Sequence, residues 1–344
     1  MLRGKIAFIQ DDALWIIAPD GSGRRKLASS IVPSATFTPD LKHLVLTNGK
    51  PVFNYEGEDL FLCGLDGKHE VQLTHQGARF ERPQFSPDGK HFACTRTDPP
   101  VGGLGTLYPP YDVVISSLDG REQKTLGDFR EVKPSGSPVN RASQEGGAAA
   151  AQTTFRPGTR SFIAWSRDAR EVLCWEGAGQ VYGPPAREYI LNLADSTERP
   201  FDGQWSRFLL PEVTRDGQRR AVFKYVNLKD GSISMEDAAA PYDGAQRLFI
   251  EETSGNQRIL SLGKFNPPAG RSAVLRNPVW SPDSKRILFE RKNDGEGKHN
   301  EEDALGTQLC IVNADGSGLK VLVQSHAASN AGQGAPFFFA QWLS

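Results

Sequence analysis

The sequence has two methionines and no stretch of roughly 18 to 20 apolar residues, the length a membrane-spanning helix needs. No lysine- and arginine-rich field is present either. Forty Lys and Arg stand against 41 Asp and Glu, giving a net charge of −1. A phosphate backbone therefore has no general basic surface to hold it, which excludes nucleic acid as a partner. The four cysteines, Cys63, Cys94, Cys174 and Cys310, are far apart and form no Cys-x-x-Cys pair. Each lies inside a strand-like run, so they read as buried thiols rather than a zinc site or a disulfide framework. The chain has no Gly-x-Ser-x-Gly elbow, no phosphate loop, no His-Glu-x-x-His and no dinucleotide fingerprint. A leader peptide is not visible, since Met1-Leu2-Arg3-Gly4 runs straight into strand-like Lys5–Ile9. As written the chain is expected in the cytoplasm. A mature chain placed behind a new Met would read the same, which leaves the periplasm or secretion as the alternative.

What the sequence has in abundance is turns. Its 344 residues include 35 glycines and 23 prolines, which points to many short strands rather than long helices. A unit of four strands repeats. Its first turn reads Thr38-Pro39-Asp40, Ser86-Pro87-Asp88, Ser166-Arg167-Asp168, Thr214-Arg215-Asp216 and Ser281-Pro282-Asp283. A hydroxyl residue, often Pro, then Asp is type I turn chemistry. Three residues before each Asp stands Phe37, Phe85, Trp165, Val213 or Trp280, suited to an innermost strand packed between blades. A second turn reads Pro19-Asp20-Gly21, Leu65-Asp66-Gly67, Leu118-Asp119-Gly120, Ala194-Asp195-Ser196, Ser254-Gly255-Asn256 and Ala314-Asp315-Gly316, a hairpin signal.

Six second turns against five first turns make the ends complementary. Gly4–Phe8 reads as the second strand of a repeat and Phe337–Trp342 as its first, so together they complete one blade and close a ring. The expected fold is all-β: a single six-bladed propeller over 1–344, with antiparallel four-stranded blades. One blade is shared by 1–28 and 336–344. The others span 33–74, 82–126, 161–201, 209–262 and 277–323, with a mobile insert expected at 130–155. Repeats such as Pro83-Gln-Phe-Ser-Pro-Asp-Gly-Lys and Pro278-Val-Trp-Ser-Pro-Asp-Ser-Lys resemble the WD40-like propeller repeat of TolB-type proteins. The resemblance covers nearly the whole chain and implies a six-bladed fold, but it implies little about activity. It departs most in blades four and five, where Arg167 and Arg215 replace Pro and Val213 replaces the aromatic.

Strand order puts the tight turns on one face of the ring and nearly all long inserts on the other: 98–110, 127–161, 177–186, 226–245, 263–276, 292–306 and 324–335. Loops on a rigid scaffold carry function disproportionately, though neutral drift would also lengthen them. The insert around Tyr108 and Tyr111 is uncharged and aromatic, and reads either as a lip over the channel or as a loop burying its own side chains. At the channel mouth Arg82 and Asn277, with Glu81 and Arg276, would meet a polar ligand or peptide end, since Arg suits forked carboxylate recognition. Pairing with neighbouring acidic residues is the alternative. Tyr242 joins this candidate set.

The functional expectation is a monomeric, non-catalytic scaffold with no cofactor, binding a protein or peptide through the loop face and channel mouth. The alternative is a carbohydrate-active lyase or hydrolase. Loop-face His75, His299 and His326 would then hold a divalent transition metal, for which oligogalacturonate lyases, with related repeats, look like a precedent. The acidic insert 293–303 leaves calcium open in the same way, beside the plainer reading of a solvated loop.

Overall fold

The computed structural model describes residues 2–10, 13–28, 35–48, 59–65, 69–74, 79–97, 111–118, 123–126, 159–177, 187–227, 229–234, 244–263, 274–292, 307–324 and 340–343. These form 24 strands in six four-stranded antiparallel sheets. Blade one holds β1 (Ile6–Gln10), β2 (Ala13–Ile17) and β3 (Arg25–Ala28). Blade two holds β4 (Ala35–Phe37), β5 (His43–Asn48), β6 (Asp59–Gly64) and β7 (His69–Gln72). Blade three holds β8 (Arg79–Phe85), β9 (His91–Thr97), β10 (Tyr111–Ser117) and β11 (Gln123–Leu126). In blade four are β12 (Thr159–Trp165), β13 (Glu171–Gly177), β14 (Arg187–Asn192) and β15 (Glu198–Pro200). In blade five are β16 (Arg219–Asn227), β17 (Ile233–Ser234), β18 (Gly244–Glu252) and β19 (Gln257–Leu260). Blade six has β20 (Val274–Trp280), β21 (Arg286–Lys292), β22 (Thr307–Asn313) and β23 (Lys320–Gln324). The last strand, β24 (Ala340–Trp342), returns to blade one.

The ring closes through that last strand. Ile6 pairs with Trp342 and Phe8 with Ala340, and Leu343 N–H donates to the Lys5 carbonyl at 2.9 Å. Trp342 packs with Ile6, Phe8, Leu288 and Leu309, and the Arg286 guanidinium lies 5.2 Å from its ring centroid. Arg219 stacks in the same way on Trp280 at 5.0 Å. Each of these arginines follows its turn Asp by three residues, so a single repeat position ties one blade to the inner aromatic of the next.

The five first turns share one hydrogen-bond pattern. The Thr38 hydroxyl donates to Asp40 at 2.6 Å and accepts from His43 N–H at 3.0 Å, while Asp40 accepts from Lys42 N–H at 3.0 Å. Ser86, Ser166, Thr214 and Ser281 repeat the hydroxyl-to-Asp bond at 2.5–2.6 Å. The residue after each Asp has positive φ: Leu41 57°, Gly89 68°, Ala169 60°, Gly217 73° and Ser284 55°. Gly217 is constrained further, because a Cβ there would sit 2.8 Å from the Ser206 carbonyl oxygen.

Blade five departs from the expected pattern. The stretch beginning at Leu210 forms no regular inner strand; it meets β16 at the bridge Val213↔Arg220, flanked by hydrogen bonds from Thr214 N–H to the Arg219 carbonyl and from Ala221 N–H to the Glu212 carbonyl, both 2.8 Å. The two-residue β17 takes the inner position beside Tyr225 and Val226. The segment ahead of the bridge is a wedge. Phe208, Leu210 and Val213, with Phe201 and Trp205, pack on Ala164, Leu173 and Ile190 of blade four. Leu209 N–H donates to the Trp165 carbonyl at 2.8 Å, and Trp280 N–H to the Pro211 carbonyl at 2.9 Å. Pro211 and the hydrogen bonds to both neighbours confine this segment's pairing with β16 to the residues around Val213.

Candidate functional site

The inner strands of blades three, four and six each bulge near their loop-face ends, and β8 and β20 bulge at equivalent places. The register shifts between Glu81 and Gln84 and between Arg276 and Val279, and each bulge holds an X-Pro step, Arg82-Pro83 or Asn277-Pro278. Proline cannot donate to the ladder, so it settles at such irregularities. Asn277 pays for its bulge with φ 52°, a conformation that Asn tolerates better than most residues.

Beneath the blade-six bulge lies a carboxyl group that the sequence reading missed. Glu290 pairs across the ladder with Arg276 and is 5% exposed. Burial pushes its carboxyl up to about 7, against the opposing effects of a hydrogen bond from the Asn277 amide and the Arg276 charge. Leu288 faces blade one and Phe289 faces blade five, so strand alternation turns Glu290 toward blade one. Arg276 and Asn277 are exposed above it. Gln246 of blade five fixes the start of β20 through both its amide atoms, 2.6 Å from Leu275 N and 3.1 Å from its carbonyl.

Comparing the repeats with one another would have exposed Glu290. Seven residues after the turn aspartates stand Thr47, Thr95, Trp175, Phe223 and Glu290. The position faces the next blade: the Thr95 hydroxyl accepts from Phe162 N–H of blade four at 3.1 Å. An ionisable residue occurs there only in blade six among these five repeats. A second carboxyl, Glu212 in the wedge segment, is also raised by burial, with the Arg220 charge opposing and the Glu188 charge adding to the rise. Its side chain lies 3.4 Å from Arg220 Nη2.

Of the residues nominated from sequence, the structure brings Arg276 and Asn277 together. Glu81 and Arg82 lie on β8 and Tyr111 opens β10, with their side chains outside the described residues. Tyr108, Tyr242, His75, His299 and His326 fall outside them altogether, as do the insert 130–155 and the acidic loop 293–303. Among the described residues no group of three or more His, Cys, Asp or Glu is placed to hold a metal ion, and no helix is long and apolar enough to cross a membrane. All four cysteines are buried free thiols, and burial pushes Cys310 up to about 12.

The blades define the class: a TolB-like six-bladed β-propeller. Comparison with known proteins bears on the fold alone. TolB from Acinetobacter baumannii is 18% identical with a TM-score of 0.50; the match covers 91% of this chain, which spans 62% of that one. A protein assigned as TolB from Agrobacterium tumefaciens is 13% identical with a TM-score of 0.51, covering 94% of this chain and 90% of its own. An oligogalacturonate lyase in complex with manganese reaches a TM-score of 0.42 at 13% identity, over 83% of this chain and 70% of its own, and carries no argument for chemistry here. No protein-family model matches the chain, and no curated protein matches it.

Proposed function

We propose that this propeller is a non-catalytic binding scaffold that captures a protein or peptide at the loop face and channel mouth, with Arg276, Asn277 and Glu290 as an anchor for an acidic group. One observation carries the reading. An exposed arginine and an exposed, backbone-strained asparagine sit at the loop-face end of an inner strand, over a buried carboxyl that shifts toward neutrality. Strain and a displaced carboxyl pKa concentrate at functional sites, and a guanidinium offers a forked donor for a carboxylate.

The test is to pan random heptapeptides bearing free C-terminal carboxylates against the full chain and against Arg276→Ala. Enriched peptides should lose at least about tenfold in affinity on Arg276→Ala and on amidation of the peptide terminus. Enrichment that survives both changes would remove this anchor. The shifted Glu290 also favours a second reading, a carbohydrate-active enzyme with Glu290 as a general acid. A stoichiometric divalent ion in the purified protein, lost on His299→Ala, would favour that reading.

A further inference from the structure

We propose a second binding subsite in the seam between blades four and five, shaped for a single cationic side chain, Arg or Lys, of a bound peptide. It rests on the loop face being the ligand-binding face. Among the described residues the inner position of blade five is held only by the two-residue β17. Between the Val213↔Arg220 bridge and β17 at Tyr225, no described strand borders the inner edge of β16. Ala221 N–H still donates to the Glu212 carbonyl at 2.8 Å, which leaves three residues, Val222 to Lys224, or about 10 Å of strand. The length suits one long side chain and is too short for an added strand.

The walls follow from strand alternation. Leu173 and Ile190 pack toward the wedge, and Trp175 and Glu188 continue their two faces as a directly paired couple. On the other side Ala221 and Phe223 pack toward blade six, which turns Lys224 and Val226 to the seam, with Ile233 paired to Val226. Trp175 stands at the repeat position that in blade three is covered by the next inner strand; here it stays 38% exposed, and Ile233 44%. The resident cations are taken up. Lys224 is 2.6 Å from Glu251, Arg220 is 3.4 Å from Glu212, and Arg247 donates to the Gln246 carbonyl at 2.9 Å. Glu188 is exposed and takes part in no ion pair among the described residues. An aromatic face beside a carboxylate with no ion pair among the described residues is the arrangement that favours a cation.

The experiment titrates the full chain with the capped tripeptide Ac-Gly-Arg-Gly-amide, followed by tryptophan fluorescence. The same tripeptide with citrulline, a neutral isostere of arginine, is the control. The arginine peptide should bind at least about tenfold more tightly than the citrulline peptide. Trp175→Ala should abolish binding while Trp175→Phe keeps part of it, and Glu188→Gln should bring arginine down to the citrulline level. Arg276→Ala should leave this binding unchanged, since the capped peptide has no carboxylate. Equal affinity for the two peptides, full affinity in Trp175→Ala, or no saturable signal with either peptide overturns the subsite. The heptapeptide result with Arg276→Ala stands apart from all three outcomes.

Discussion

Arg167 shows what a departure from a repeat consensus is for. Four of the turn positions just before Asp keep either Pro or a second Arg, and Pro at Arg167 would remove an N–H that donates to the Arg207 carbonyl at 2.9 Å. The guanidinium goes further. It donates to the carbonyls of Ser206 at 2.7 Å, Arg215 at 2.5 Å and Thr214 at 3.1 Å. One side chain on blade four thus holds the turn of blade five, where the two-residue β17 leaves fewer ladder bonds at the inner position to do so. Arg167→Ala should cost about 1–3 kcal/mol, because carbonyls lose charge-assisted donors in a partly buried place. Denaturant titration checks it, with Arg215→Ala as the control: Arg215 contributes its carbonyl rather than its side chain to this contact, and should cost less than about 0.5 kcal/mol. None of this was legible locally, since an arginine in a turn looks like a solvated one until its partners on the next blade are known. Glu290 was hidden for a similar reason. Within Arg286-Ile-Leu-Phe-Glu290 it reads as the polar end of a strand, and only its place in the ring buries it.

At the scale of elements, the turns were readable because their chemistry is local: hydroxyl, Asp and a left-handed residue make their bonds within six positions. The order of strands, the pairing of the two chain ends and the four-stranded blades followed from counting those turns. The inner strand of blade five was misplaced because Leu209-Leu-Pro-Glu-Val213 has the apolar content of an inner strand, while Leu209 and Pro211 bond to Trp165 and Trp280 on either side and only Glu212 bonds to β16. Non-local competition of that kind leaves no mark in a repeat motif. The closing strand is the element whose worth is easiest to measure. Removing Ala340–Ser344 deletes the pairing with β1, the packing of Trp342 and its contact with Arg286. The loss should be about 3–5 kcal/mol, the range for deleting a large buried aromatic, and should lower Tm by about 5 °C. Calorimetry of the truncated chain decides it, and an unchanged Tm would show that the ring is held without this strand.

Over the whole molecule the shifted groups add up to a stability profile with an unusual slope. Each turn aspartate, Asp40, Asp88, Asp168, Asp216 and Asp283, is held below the ordinary carboxylate range, first by its Ser or Thr hydroxyl. Their contribution is present above the unfolded carboxylate pKa near 4 and is lost as pH falls through the lower folded values. Glu290 acts in the opposite sense. Its folded pKa of about 7 lies above the unfolded value, so the folded state keeps a proton that the unfolded chain releases. Stability therefore declines as pH rises from about 4.3 to about 7, by on the order of 4 kcal/mol at most. Burial raises Glu212 in the same direction. The thiols of Cys94 and Cys310, also raised by burial, bring a further decline once pH passes the unfolded thiol value near 8.5. Guanidinium titrations from pH 3 to pH 10 should thus find maximum stability near pH 4 to 5 rather than at neutrality. Glu290→Gln, which keeps an oxygen for the Asn277 amide but carries no charge, should flatten most of the decline between pH 5 and pH 7 and leave the acid limb untouched. A variant whose curve parallels the parent across that interval would show that Glu290 titrates as an ordinary solvated carboxylate, and the channel-mouth anchor would lose the buried group beneath it.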